Sequence, residues 1–147
     1  LAAGLIGGLL LAGALVVLAG VARSRGVRSV DAPSPSLIAT RAVGADYVDA
    51  YRVAISPERF RALDDVIAAA FQKGREAGRT ATEVVYQDRA PGLVFDVAYQ
   101  LGSERGESTL TMTTAVRYTS RTGRVYFALV RPVHRLGVPF MVSRMVR

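Results

Sequence analysis

The feature that most narrows the fold of this 147-residue chain is the strict alternation over residues 108–118. Leu110, Met112, Thr114, Val116 and Tyr118 fall on one parity, and Thr109, Thr111, Thr113, Ala115 and Arg117 on the other. β-Branched residues at a period of two form the pattern of a half-buried strand. Residues 119–123 have turn chemistry, with Gly123 free to take positive φ. Residues 124–130 are then read as a return strand, pairing Tyr118 with Val125, Val116 with Phe127 and Thr114 with Leu129. Pro132 ends that strand, because it brings no N–H to a ladder and suits the first turn of a helix. Residues 133–147 are read as a helix interrupted at Pro139. Arg131, His134 and Arg135 share one side of it and Arg144 and Arg147 the other; the apolar remainder implies burial on more than one side.

The same periodicity organises the chain upstream. Residues 46–55 alternate Tyr47, Asp49, Tyr51 and Val53 against Val48, Ala50, Arg52 and Ala54, a first strand. Asp46 and Asp49 lie three apart, on opposite faces, so they do not make a paired-carboxylate site; both are read as turn entry and solvated edge. Ser56-Pro57-Glu58 opens a helix by capping, N1 proline and dipole chemistry. Phe60, Leu63, Val66, Ile67, Ala70 and Phe71 form its apolar arc. Gly74 and Gly78 end it, with Lys73, Arg75 and Arg79 in a solvated basic turn. Residues 81–88 are a strand turned by Ala90-Pro91-Gly92. Residues 93–101 follow, with Leu93, Phe95, Val97, Tyr99 and Leu101 on one face. A polar turn at residues 102–107 pairs Tyr99 with Leu110 and Val97 with Met112, so residues 93–130 form a meander of three strands. Thr109, Thr111 and Thr113 are expected on a solvated face.

Residues 1–22, LAAGLIGGLLLAGALVVLAGVA, carry no charge and no polar side chain. That is long enough to span a bilayer, and only as a helix. A single-pass membrane anchor is the first reading; a signal peptide cleaved near Gly20 and Ala22, or a buried helix, are the alternatives. Arg23, Arg25 and Arg28 favour a cytoplasmic domain at the cell membrane, against a secreted or periplasmic one after cleavage. Gly4 and Gly8 make one GxxxG spacing, which fits a weak helix-mediated homo-oligomer and equally fits mere composition. Residues 31–41, with Pro33 and Pro35, read as an extended linker. The chain is thereby divided into a transmembrane helix at 1–22, a basic juxtamembrane segment and linker at 23–43, and a domain at 44–147.

Composition closes several routes. The chain has no Cys, no Asn and one His, which removes disulfides, thiol nucleophiles and N-glycosylation and disfavours zinc. The net charge is +7, but the basic residues neither cluster on one face nor interleave with stacking aromatics, so nucleic acid is not an expected partner. No nucleophile elbow, P-loop, dinucleotide fingerprint or HExxH occurs. No catalytic residue, metal or cofactor is assigned.

Two blocks carry a family resemblance: Gly44 to Ile55, GADYVDAYRVAI, and the late run Thr113-Thr114-Ala115-Val116, Arg121-Thr122-Gly123 and Tyr126 to Arg135. In these the chain resembles a bacterial family called domain of unknown function 2867. The middle of the chain departs from it, lacking the Trp-containing segment that members often carry. The resemblance implies an α+β, START-like (SRPBCC-like, helix-grip) domain in which a curved antiparallel sheet packs on a C-terminal helix around a cavity. It brings no catalytic residues.

Candidate site residues follow from the strand parity. Tyr99, Met112 and Phe127 would line a cavity between sheet and last helix, and would equally fill a core. Arg131 continues the apolar parity, where an unpaired charge is costly, so it pairs with an acid or meets an anionic head group. His134 is the sole imidazole; flanked by Arg131 and Arg135, it is read as a junction residue or a general base. The functional expectation is a membrane-anchored domain binding a hydrophobic small molecule or lipid. The alternatives are an accessory enzyme of cyclase or reductase type using Arg131 and His134, and a structural partner domain of a membrane complex.

Overall fold

The computed structural model describes residues 26–70 and 74–147. The expected membrane helix at residues 1–22, Phe71 and Lys73 lie outside them. In order, the elements are β1 (Arg28–Val30), α1 (Leu37–Arg41), β2 (Tyr47–Ala54), α2 (Leu63–Ala69), β3 (Arg75–Arg79), β4 (Glu83–Ala90), β5 (Leu93–Glu104), β6 (Glu107–Tyr118) and α3 (Arg121–Met145). The strands form one curved, wholly antiparallel sheet in the order β1-β2-β6-β5-β4-β3. The α+β class and the closing helix agree with the sequence reading.

The alternation of β2, β5 and β6 sorts side chains as expected. One face carries Tyr51, Val53, Val97, Tyr99, Leu110 and Met112, and receives Phe60, Leu63 and Val66 around α2 and Val138, Val142 and Met145 from α3. Burying these apolar side chains supplies the main driving force, on the order of 2 kcal/mol each. The β5–β6 hairpin turns on two residues, Arg105 and Gly106, both at positive φ. This tight turn fixes the register as Leu101 with Leu110, Tyr99 with Met112 and Val97 with Thr114. The longer turn read from sequence is therefore corrected by a two-residue slide, which keeps every side chain on its face.

The largest correction concerns residues 119–130. They form no return strand: Ser120 caps a helix that starts at Arg121, its Oγ accepting from Gly123 N at 3.0 Å. β6 has no place for a further strand, because it is already paired with β5 on one side and β2 on the other. Gly123 also lies against Gly92 of the β4–β5 turn; a Cβ on Gly123 would meet the Gly92 carbonyl oxygen at 1.9 Å. Only two facing glycines let helix and turn approach so closely. Within α3, Phe127, His134, Val138, Met141 and Met145 recur at helical spacing on the sheet side, whereas Val125 and Leu129, read as core strand residues, are 62% and 74% exposed.

Pro132 and Pro139 both lie inside α3. A proline cannot donate to the carbonyl four residues earlier. For Pro139 that carbonyl belongs to Arg135, and the Tyr51 hydroxyl of β2 lies 3.5 Å from it, a long contact that offers a replacement donor.

Residues 31–41, read as an extended linker, end in helix α1 over Leu37–Arg41. Ser36 caps α1, accepting from Ala39 N at 3.0 Å. Glu83 of β4, almost fully buried, accepts from Leu37 N at 2.8 Å and Ile38 N at 2.9 Å. A carboxylate on the open N–H groups of a helix start satisfies them and meets the positive dipole end. Ile38 then packs on the second face of the sheet against Val85, Ala98 and Ala115. That face is therefore covered, and Thr109, Thr111 and Thr113 are buried rather than solvated; Thr111 Oγ1 accepts from Arg52 Nε at 3.0 Å. Asp96 on the same face is fully buried and bonds Arg41 at 2.9 Å, Gln87 at 3.1 Å and Arg117 at 3.3 Å.

Two further segments differ from expectation. Residues 57–59 form a turn, in which Arg59 N and Phe60 N donate to the Ser56 carbonyl, and α2 begins only at Leu63. There Asp65 accepts from Arg61 N and Ala62 N. Arg75 and Arg79 belong to edge strand β3, not to a basic turn. Among the described residues, no helix is long and apolar enough to cross a membrane.

Candidate functional site: a cavity between the sheet and the last helix

Because α3 starts beside the β4–β5 turn and then runs along β2, it bridges part of the curved sheet. The space beneath is a cavity of about 290 Å³. Phe95, Val97, Tyr99 and Met112 wall it from the sheet, and Phe127, Val138 and Met141 from the helix. Ala90, Tyr126 and Val130 also line it; Tyr126 is half exposed, which puts it at the rim. The lining is mostly apolar, with Thr114 and His134 as polar members, the composition of a small-molecule pocket at the lower end of the usual size range.

The polar end is formed by Thr114 of β6 and His134 of α3, with β2 paired alongside β6. The alternation of Tyr47, Asp49 and Tyr51 points all three toward the helix. His134 Nε2 lies 3.2 Å from one Asp49 oxygen and 3.4 Å from the other. The Tyr47 hydroxyl donates to Asp49 at 2.6 Å. Both side chains are largely removed from solvent, at 10% exposure for Asp49 and 17% for His134. Asp49 sits opposite Thr114 in the β2–β6 ladder, so the carboxylate stands behind His134 and beside the Thr114 position without itself lining the cavity. With Nε2 turned to Asp49, ring atom Nδ1 is the nitrogen without a protein hydrogen-bond partner among the described residues.

The tyrosines record this environment. Burial, first, and then the Asp49 charge push the Tyr51 phenol up to about 12. The Tyr47 phenol is raised by burial and by its bond to Asp49, partly opposed by Arg135. Arg135 is held charged by the Tyr47 hydroxyl.

The five residues singled out in the sequence have different fates. Tyr99, Met112, Phe127 and His134 all line the cavity. Phe127 also packs on Tyr47, Tyr118 and His134, at ring separations of 5.0, 5.9 and 6.1 Å. Arg131 does not line it: it is exposed and stacks over the Tyr47 ring at 5.1 Å. Its strand parity was false because the segment is helical, so no buried charge has to be compensated. Asp49, Tyr47 and Thr114 were missed. The available signal was an acid on the apolar parity of β2, between Tyr47 and Tyr51.

Comparison with known proteins agrees with the motif reading. Residues 14–141 match the family described as protein of unknown function (DUF2867). The chain belongs to this family. No curated protein and no solved structure matches it. Within this DUF2867 chain, the two resembling blocks meet at the site: the first is β2, with Tyr47 and Asp49, and the second contributes the end of β6 and the helix with Phe127 and His134. Among the described residues, no group of three or more His, Asp or Glu side chains is placed to hold a metal ion.

Proposed function

We propose that this DUF2867 domain binds an amphipathic small molecule of the single-chain lipid type between its sheet and last helix, in a START-like manner. The observation that carries the reading is the cavity of about 290 Å³ whose walls are apolar and whose one polar end holds His134 and Thr114. An apolar body would replace contacts that the walls otherwise lack, and an oxygen-bearing head would bond at Nδ1 of His134 and Oγ1 of Thr114. The test is titration of the full chain with a dansyl-labelled fatty acid. Saturable one-to-one binding is expected, lost in Val97→Phe, which fills the cavity, and weakened in His134→Ala. Equal binding by the folded Val97→Phe protein would reject the cavity as the site.

A second reading is favoured by one specific contact. An imidazole oriented by a carboxylate beside a ligand cavity is the arrangement of a general acid–base pair. If His134→Ala leaves ligand affinity intact but abolishes turnover of a bound carbonyl compound, the domain is an enzyme. If no compound is turned over, it is a binding module.

A further inference from the structure

The hydrogen-bond roles at the polar end of the cavity decide what the head of a ligand must carry. The Asp49 carboxylate accepts from the Tyr47 hydroxyl at 2.6 Å and stands 3.2 Å from Nε2 of His134. An ionised carboxylate accepts and cannot donate, so Nε2 carries the imidazole hydrogen. In the uncharged ring the other nitrogen, Nδ1, is then an acceptor. Thr114 brings a hydroxyl, which both donates and accepts. Among the described residues, Arg41 Nε is the one enclosed side-chain polar atom without a partner. Nδ1 of His134 and Oγ1 of Thr114 bond no described group, so they meet the open space of the cavity rather than packed atoms.

Charge narrows the head further. Among the described residues, no Asp, Glu, Lys or Arg lines the cavity. β5 and β6 bring Phe95, Val97, Met112 and Val116 to the lining, and no charge. Asp49 of β2 is a negative charge directly behind the imidazole. The cations beside His134 on α3 are Arg131, over the Tyr47 ring at 5.1 Å, and Arg135, beside the Tyr47 hydroxyl. By helical angle both lie on the β2 side of His134, whereas Val130 and Tyr126 of the cavity lie on the other. A carboxylate head would therefore enter an apolar space with an anion behind its partner and no cation before it, at the cost of burying an unpaired charge. A carbonyl head accepts and cannot donate, and would leave Nδ1 without a partner. A hydroxyl head donates to Nδ1 and accepts from Oγ1, so that both are satisfied.

We infer that the cavity selects an apolar ligand whose head is an uncharged hydroxyl, a primary alcohol being the simplest case, and that Asp49 is the positioning residue that sets this choice by holding the hydrogen on Nε2. A carboxylate head is admitted when His134 takes up a proton, which turns Nδ1 into a donor. This choice of head rests on the cavity's being the ligand site, as proposed above.

The test is displacement of an uncharged fluorophore, phenylnaphthylamine, from the full chain at about pH 8, above the ordinary imidazole range. The competitors are octanol, heptyl methyl ketone, which matches it in size and hydrophobicity but accepts without donating, and octanoate. Octanol is expected to displace the probe at about tenfold lower concentration than the ketone. His134→Phe, which removes the acceptor, should make the two equal. So should Asp49→Asn, whose amide can donate to Nε2 and so lets Nδ1 carry the hydrogen. Octanoate should bind more weakly than octanol and gain up to about tenfold per pH unit as the pH falls, one proton being taken up, while octanol stays unchanged. Equal displacement by octanol and ketone from the unsubstituted chain, or tight octanoate binding that ignores pH, would overturn the choice of head and leave the cavity as the ligand site. A preference for octanol kept in the folded Asp49→Asn protein would overturn the role given to Asp49. Binding of none of the three, or binding of all three unchanged by Val97→Phe, would overturn the cavity as the site and the choice of head with it.

Discussion

Asp49 and His134 stand 85 residues apart in the chain and meet at 3.2–3.4 Å where β2 passes under α3. The pair links the two blocks that the family resemblance rests on. It also fixes which nitrogen of the imidazole remains for the cavity. Asp49 must accept from both Tyr47 and His134 for that orientation to hold. In a double-mutant cycle of Asp49→Ala and His134→Ala, followed by urea unfolding, a coupling on the order of 1 kcal/mol is expected for a largely buried, charge-assisted contact. Additive losses would mean that the two side chains merely pack near one another.

The start of α3 rests on two glycines. A methyl group on Gly123 would strike the Gly92 backbone, and one on Gly92 would strike Ser120 and Gly123 while also straining a φ of +75°. Neither backbone is the flexible end of a side chain, so the turn and the helix would have to separate. Gly123→Ala is therefore expected to destabilise by about 3 kcal/mol, the upper part of the overpacking range, although alanine is normally the better helix former. Denaturant midpoints of Gly123→Ala and of Gly137→Ala, whose Cβ would meet nothing within 4 Å, separate the two effects: the second should be neutral or stabilising.

Period-two patterning was enough to read β2, β5 and β6 with their faces, because one side of each is buried against helices and the other against α1 or solvent. It failed at residues 124–130, where Val125, Phe127 and Leu129 alternate as a strand would. Phe127, Val130, His134, Val138 and Met141 repeat at helical spacing over the same stretch, and that longer match decides the conformation. Two prolines and a glycine in its first turn hid it, since Pro132 and Pro139 are poor helix formers; for Pro139 the Tyr51 hydroxyl stands near the carbonyl left without a donor. The N-terminal segment was unreadable for another reason. Nothing local announces that Glu83 will cap α1 or that Arg41 will reach Asp96, because both partners are brought by the sheet. Of the site, the sheet wall with Tyr99 and Met112 followed from strand parity, whereas Phe127 reaches the cavity from helix α3 and not by the strand parity read for it. Asp49 was discounted because its pairing with Asp46 was tested and its isolation on an apolar face was not.

The buried Asp96 is what ties that N-terminal segment down. Its carboxylate is fully removed from water and is answered by Arg41, Arg117 and Gln87. Removing one partner of a buried pair leaves a charge without compensation. The two arginines remain about one-third exposed, so each alone is discounted. Asp96→Ala should cost about 3 kcal/mol and Arg41→Ala about 1–2 kcal/mol, and Arg41→Ala should also speed amide exchange across residues 37–41. If exchange there is unchanged, α1 is held by Glu83 and Ile38 alone.

Alkaline titration tests the site end of the sheet. Tyr47, Tyr51 and Tyr86 are all raised above the ordinary phenol value, each chiefly by burial, Tyr51 to about 12. A raised folded value means that the fold prefers the neutral phenol. The stability this contributes is complete below the unfolded value near pH 10, and it is lost as pH rises through the folded value. For Tyr51 the window is about pH 10 to 12. Phenolate absorbance should therefore show part of the six tyrosines ionising late, accompanied by falling denaturant stability over that window. Tyr51→Phe should remove one late phenol and flatten the fall. Asp49→Asn, which takes away the neighbouring negative charge and leaves burial in place, should move the Tyr51 phenol down only in part. If all tyrosines ionise together near pH 10 while the fold persists, the Tyr47–Asp49–Tyr51 face is open to water and the polar end of the cavity is not the enclosed site described above.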